Sequence, residues 1–310
     1  MQQIDILMAT YNSEKYLENQ IDSILNQTYS NYHINICDDA STDNTINILS
    51  NYKMQQNNKI SYTINNKNIG IKKNFSILLN NSTAEYIMFS DHDDVWVNNK
   101  IEKSYNKIIE MENIYSKNTP ILVFCDKYVT DENLNIISNS HNKLEKFNTN
   151  AVSFNRLLMA NIISGCTIII NKALKNLCAN IPEDACMHDY WISLNAAAFG
   201  KIGYISEPLM YYRQHSNNQL GAKNYSLVYA FDKFNKGKKS LQESIMKNIT
   251  QAESFYNKYN TQLNTKDIEI ITNFISLRNK RNFMFIYTVM KYKFYKHGLL
   301  KNLGLFFAFM

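Results

Sequence analysis

The chain has 310 residues, of which 33 are Lys or Arg and 27 Asp or Glu, for a net charge of +6; 45% are apolar and 19% charged. This is a globular composition rather than a disordered one, and eight Gly with three Pro exclude collagen-like, linker and Pro-rich chains. The charge is uneven: residues 1–221 carry 18 basic and 22 acidic side chains, whereas residues 222–310 carry 15 and 5, so an anionic partner is expected at the last third. Five cysteines, an odd number with no C-x-x-C pair, argue against a disulfide framework or a Cys-rich zinc site. No signal peptide is visible and no apolar run reaches the ~18 residues of a membrane span, which reads as a cytoplasmic protein with the membrane surface still open to it.

The first half alternates between strand and helix patterns. Residues 4–8 form an apolar strand, and Tyr16, Leu17, Ile21, Ile24 and Leu25 then recur at helical spacing. A strand is expected over 32–38 and a helix over 43–52, with Ser41 and Thr42 as its cap. Strands over 60–64, 86–90 and 121–126 alternate with helices over 71–79 and 98–116. This order predicts an α/β fold: a mostly parallel twisted sheet flanked by helices. Residues 150–215 are more mixed, with a strand over 167–171, a helix over 187–198 and short strands over 202–205 and 209–212. From about 225 the pattern is helical, Lys-rich and aromatic. Two domains follow: 1–221, and a helical extension over 222–310.

Ligands of such sheets bind at the carboxyl ends of the strands. There the sequence places Thr10-Tyr11-Asn12, Asp38-Asp39 and Asp91-His92-Asp93-Asp94. Three carboxylates within four residues repel one another, and a hard divalent cation relieves that repulsion; a solvated turn capping the next helix is the competing reading. Asp39 is a candidate acceptor for a base N–H or a ribose hydroxyl, and Lys73 a candidate donor to a phosphate or carbonyl. Asp189, after His188 and before Tyr190-Trp191, is either an N-cap or a partly desolvated general base. Arg213-Gln214-His215 suits a diphosphate or a metal. No G-x-G-x-x-G, P-loop, G-x-S-x-G or H-E-x-x-H occurs, and the acidic rim disfavours nucleic acid.

Six blocks in this order resemble a family-2 glycosyltransferase of the GT-A fold, from residue 4 to about 221: Ile6-Leu7-Met8-Ala9-Thr10-Tyr11-Asn12, Asp38-Asp39-Ala40-Ser41-Thr42-Asp43, Asn68-Ile69-Gly70 with Lys73-Asn74, Phe89-Ser90-Asp91-His92-Asp93-Asp94-Val95-Trp96, His188-Asp189-Tyr190-Trp191 and Tyr212-Arg213-Gln214-His215. The Asp-His-Asp-Asp-Val-Trp form is similar to the rhamnosyltransferase-like branch of bacterial surface-polysaccharide synthesis. The resemblance implies that Thr10, Tyr11 and Asp39 hold base and ribose, with Lys73 near the base. It implies Asp91 at the ribose or metal, Asp93 and His215 as ligands of a Mn or Mg ion, and Asp189 as the catalytic base; Trp191 would offer a ring face to the sugar. Where many members carry Glu before this Asp, the chain has His188.

The expected activity is inverting, metal-dependent transfer from dTDP-rhamnose or a UDP-hexose to a glycan acceptor carried on a polyprenyl diphosphate, at the inner face of the plasma membrane. The basic, aromatic stretch 283–310 is expected either to touch an anionic membrane or to pack on the body or on a second subunit of a homo-oligomer. A non-catalytic membrane-docked scaffold and a nucleotidyltransferase are the competing functions.

Overall fold

The computed structural model describes residues 2–215 and 229–309. The domain boundary expected between 221 and 222 lies outside the described residues. The strands are β1 (Ile4–Thr10), β2 (Tyr32–Asp38), β3 (Ile60–Ile64), β4 (Tyr86–Ser90), β5 (Val95–Trp96), β6 (Ile121–Thr130), β7 (Ile136–Ser138), β8 (Ile168–Asn171) and β9 (Lys201–Arg213). The helices are α1 (Leu17–Leu25), α2 (Thr45–Gln55), α3 (Ile71–Asn81), α4 (Lys100–Tyr115), α5 (His141–Leu144), α6 (Phe154–Met159), α7 (Lys172–Cys178), α8 (His188–Phe199), α9 (Tyr229–Tyr259), α10 (Thr265–Ile275), α11 (Asn282–Lys291) and α12 (Leu299–Ala308).

Two compact units share these elements. Of the described residues, the first holds 2–141, 163–181 and 200–215, and the second 142–162, 182–199 and 229–309. The first unit contains the whole sheet, in the order β3-β2-β1-β4-β8-β6-β9-β5, with β7 paired to β6. From the pairings, β1, β2, β3, β4, β6 and β9 run one way, and β5, β7 and β8 run the other. The sheet is therefore parallel across β3-β2-β1-β4 and mixed beyond it. β8 enters antiparallel between β4 and β6.

Every residue of β1 and β4 is buried, as expected for strands covered on both faces. On one face Ile4, Ile6 and Met8 join Leu17, Ile21 and Ile24 of α1 and Ile101 and Ile108 of α4 in one core. On the other, Phe89, next to Leu7 in register, meets Phe75 of α3 with ring centroids 5.8 Å apart. Six strands thus deliver their carboxyl ends to a common rim, and the site is built there.

The cap expected from Ser41 and Thr42 is not used: α2 starts at Thr45, with no side-chain cap bond at Asn44. Those residues bind the neighbouring loop instead. The Asn12 amide donates to Ser41 Oγ (2.8 Å), and the Thr42 amide to Asn12 Oδ1 (2.9 Å). Asn12, at φ +47°, and Ala40, at φ +62°, take the left-handed turns this stitching needs.

The second unit has its own core. Trp191 of α8 packs on Phe255 of α9 (5.4 Å, edge to face), and Phe255 also meets Phe154 of α6 (5.5 Å) and Tyr259 (4.8 Å). Helix α8 buries eight of its twelve residues, which explains why its apolar pattern runs all round. Polar ties join the same elements: Asn248 Nδ2 donates to the Met159 carbonyl (2.9 Å), and the Cys186 amide to Gln251 Oε1 (2.8 Å). Among the described residues no helix is long and apolar enough to cross a membrane.

Candidate active site

The site on the first unit starts from the turn after β4. Asp93 Oδ2 and His215 Nε2 lie 2.9 Å apart, although 122 residues separate them. The structure thus brings together the two residues expected as metal ligands. His215 follows β9, and its ring packs on Tyr16 at 4.9 Å. Arg213, 3% exposed, holds this strand end: its Nε donates to the Asp93 carbonyl (2.9 Å), its Nη1 to the Glu132 carbonyl, and its guanidinium lies 4.5 Å from the Tyr16 ring. The sequence suggested Arg213 for a diphosphate. Its donors instead brace the backbone that carries Asp93 and His215, so it is a positioning residue.

Asp91 and Asp94 form a second group with Cys166, contributed by a short turn (Gly165–Thr167) before β8; one ligand atom from each lies within 4.8 Å of the others. Burial, and then the charge of Asp93, push both carboxyls above the usual carboxylate range, Asp94 further than Asp91. Asp94 Oδ1 accepts from the Arg213 amide (3.2 Å), while its Oδ2 is buried without a hydrogen-bond donor. A buried carboxylate oxygen lacking a donor, beside two further carboxylates, is the setting a divalent cation stabilises. This group offers two carboxylates and a thiol, and the neighbouring Asp93–His215 pair a carboxylate and an imidazole, donors that fit a divalent cation.

Two buried lysines missed at the sequence level lie beneath these acids. Lys127 of β6 donates to Ser164 Oγ (3.0 Å), with its ammonium 3.6 Å from the centre of the Tyr212 ring. Lys100 of α4 is 0% exposed and donates to the Cys166 carbonyl (2.5 Å) over the Trp96 ring. Burial depresses the Lys100 ammonium, whereas for Lys127 the surrounding negative groups, Asp94 and Asp91 among them, outweigh burial and hold the proton more tightly. Nothing local in the sequence marked these lysines as internal.

The other expected residues divide. Tyr11 is 45% exposed at the rim and presents its ring. Thr10 is buried, its hydroxyl donating to Asp38 Oδ2 (2.8 Å). It acts through Asp38, whose carboxylate also receives the Ser41 amide and hydroxyl (2.8 and 2.6 Å). Asp39 accepts from Asn65 Nδ2 (2.9 Å) and from the Ile69 and Gly70 amides (2.9 and 2.8 Å), pinning the loop that leads into α3. Gly70, at φ +86°, makes that turn possible. Lys73 is exposed in the first turn of α3.

On the second unit, Asp189 is half-buried in the first turn of α8. Trp191 corrects an expectation. It is 0% exposed and enclosed by Phe255 and Tyr259, so its ring has no open face for a sugar.

Burial lowers the His188 pKa to about 3, and burial with the nearby Arg156 and Lys301 cations lowers that of His297 to about 4. Below the ordinary value of ~6.5 the unfolded chain takes up two protons that the native chain refuses. Stability is thus complete above ~6.5 and falls as pH drops toward 4, by about 1.4 kcal/mol per pH unit for each ring. Urea unfolding at pH 6.5 and pH 5 should differ by about 3 kcal/mol from this pair, and replacing both by Asn should remove that part of the difference.

The Glycosyl transferase family 2 pattern matches residues 5–178. The dTDP-rhamnosyl transferase RfbG of Shigella flexneri is 32% identical over 230 residues, covering 69% of this chain and 74% of its own. The UDP-Glc:alpha-D-GlcNAc-diphosphoundecaprenol beta-1,3-glucosyltransferase WfgD of Escherichia coli is 26% identical over 175 residues, 56% of this chain and 62% of its own. Staphylococcus aureus TarS 1–349 in complex with UDP-GlcNAc shares the fold, with a TM-score of 0.54 at 18% identity over 94% of this chain and 80% of its own. With a family pattern over more than half its length and a relative this similar across most of both chains, the protein belongs to glycosyl transferase family 2 and is a glycosyltransferase of the rhamnosyltransferase-like branch.

Proposed function

We propose that the chain is an inverting, metal-dependent glycosyltransferase. It moves rhamnose from dTDP-rhamnose, or a hexose from its UDP derivative, to a lipid-linked surface glycan at the inner face of the plasma membrane. The observation that carries this reading is the pairing of Asp93 with His215 at 2.9 Å beside the crowded carboxylates of Asp91 and Asp94. Similarity to the dTDP-rhamnosyl transferase RfbG and the UDP-glucose-using WfgD supports the donor class, and the diphosphoundecaprenol-linked acceptor of WfgD supports an acceptor on a polyprenyl diphosphate.

Each residue then has a task. Tyr11 and the loop pinned by Asp39 receive the base and ribose, with Lys73 near the base and Asp91 toward the ribose. Asp93 and His215 would hold a Mn or Mg ion, whose positive charge would offset the negative charge of the departing nucleoside diphosphate. Asp189 accepts the proton of the acceptor hydroxyl, whose oxygen attacks the anomeric carbon opposite the leaving nucleoside diphosphate and inverts it. Arg213 and Asp38 keep these groups in place.

A panel of nucleotide sugars with Mn or Mg tests the proposal. Thermal stabilisation is expected from one base class only, by about 2.7 kcal/mol at a hundredfold excess over Kd. That donor should then release nucleoside diphosphate and glycosylate an acceptor. Diphosphate release from a nucleoside triphosphate would instead make the chain a nucleotidyltransferase. No turnover with any donor would favour a scaffold.

A further inference from the structure

The second unit carries apolar surface that its own core does not use. Among the described residues, seven of the fifteen exposed large apolar side chains fall between Phe283 and Phe307. On α11 they are Phe283 (74% exposed), Met284, Tyr287 and Met290, spaced as one helical stripe, while Phe285, Thr288 and Val289 point inward. On α12 Leu300 (77%), Leu303 and Phe307 repeat the pattern, with Leu305 and Ala308 buried. The helices are tied together: the Asn282 amide donates to the Phe309 carbonyl (2.9 Å), and Phe285 stacks on Phe309 at 3.9 Å. Two single-sided helices thus each bury one face and leave an equally apolar face in water.

Charge decides what covers them. After Glu269 the sequence has seven Lys or Arg and no Asp or Glu. Arg278 and Lys301 already pair with Glu253 and Glu145. Arg281 at the start of α11, Lys291 at its end and Lys293 just beyond are exposed. Lys280, held at 2.9 Å from Thr288 Oγ1, is lowered by burial and by the Lys291 cation. Glu269, the acid that acts on Lys291, already accepts the Tyr292 hydroxyl at 2.8 Å. An apolar stripe bounded by cations matches a bilayer with anionic headgroups, where rings and Met enter the acyl boundary and the lysines meet phosphates. A protein partner for this face would have to supply both a long apolar groove and the missing acids.

We propose that the exposed faces of α11 and α12 seat the second unit on an anionic membrane surface. This deepens the reading of a lipid-linked acceptor and rests on it for its purpose, but not for its test. The full chain should co-sediment with vesicles of equal parts phosphatidylglycerol and phosphatidylcholine, stay in the supernatant with phosphatidylcholine alone, and be released by high salt. Lys291→Ala with Lys293→Ala should reduce partitioning by about 30-fold. Phe283→Ser with Met290→Ser, and separately Leu300→Ser with Phe307→Ser, should abolish it. All six positions are exposed, and unchanged thermal unfolding would confirm intact variants. Three results would overturn the proposal: wild-type protein that ignores anionic vesicles, variants that bind as wild type does, or a dimer in sedimentation velocity that the serine variants dissolve while vesicles bind nothing. Donor hydrolysis in vesicle-free buffer should be equal in all these proteins. Lost docking with intact hydrolysis leaves the enzymatic reading standing, and intact docking without hydrolysis leaves the membrane face standing.

Discussion

Asp189→Asn is expected to bind donor and metal as wild type does and to transfer sugar about 10²- to 10⁴-fold more slowly, the range for loss of a positioned general base. The amide keeps the shape and hydrogen-bonding reach of the carboxylate in the first turn of α8 but cannot take the acceptor's proton. The effect should fall on kcat, with donor affinity by calorimetry unchanged. The choice of residue rests on the resemblance of His188-Asp189-Tyr190-Trp191 to the family motif, and the chemistry is compatible with it: an acceptor hydroxyl is a poor nucleophile at neutral pH, and a carboxylate can take its proton. A near-normal transfer rate would assign the base to another residue.

Asp93→Ala should abolish the dependence of donor binding on Mn or Mg. In the presence of metal the donor should bind at least about 10- to 100-fold more weakly, the loss that outer-shell partners of a metal already cause. Asp93 is the carboxylate in direct contact with His215, so its removal takes one donor away and with it the hydrogen bond to the other. Calorimetry with and without the metal reads this directly. Persistent metal dependence would move the ion to the neighbouring group of Asp91, Asp94 and Cys166.

Much of the first unit could be read from the chain because parallel strands covered on both faces write themselves as near-continuous apolar runs, as in Ile6-Leu7-Met8-Ala9 and Tyr86-Ile87-Met88-Phe89. Polar residues following such runs mark the rim, which makes the place of Asp39, Asp91 and Asp93 after β2 and β4 legible in the sequence. The later strands were harder. Glu207-Pro208 looked like a break between two short strands, yet β9 continues through it, with a register shift opposite Asp126 absorbing the proline. Inside the site, the misses share one cause: burial of a polar residue is a tertiary property. Lys100 and Lys127 look like solvated cations in sequence and become internal only once β4, β6 and β8 come together. Trp191 failed in the opposite direction. An aromatic beside a presumed base invites a stacking role, but the ring closes the core of the second unit against Phe255.

The way the chain is shared between the units limits how it can be made and taken apart. Residues 142–162 and 182–199 belong with helices encoded far downstream, through pairs such as Met159 with Asn248 and Cys186 with Gln251. During synthesis these stretches leave the ribosome before the partners that complete their core, and must wait while the sheet strands on either side of them assemble. The helical region is therefore no detachable appendage. Stopping translation after β9 would strand α6 and α8, together with Asp189, with their apolar faces uncovered.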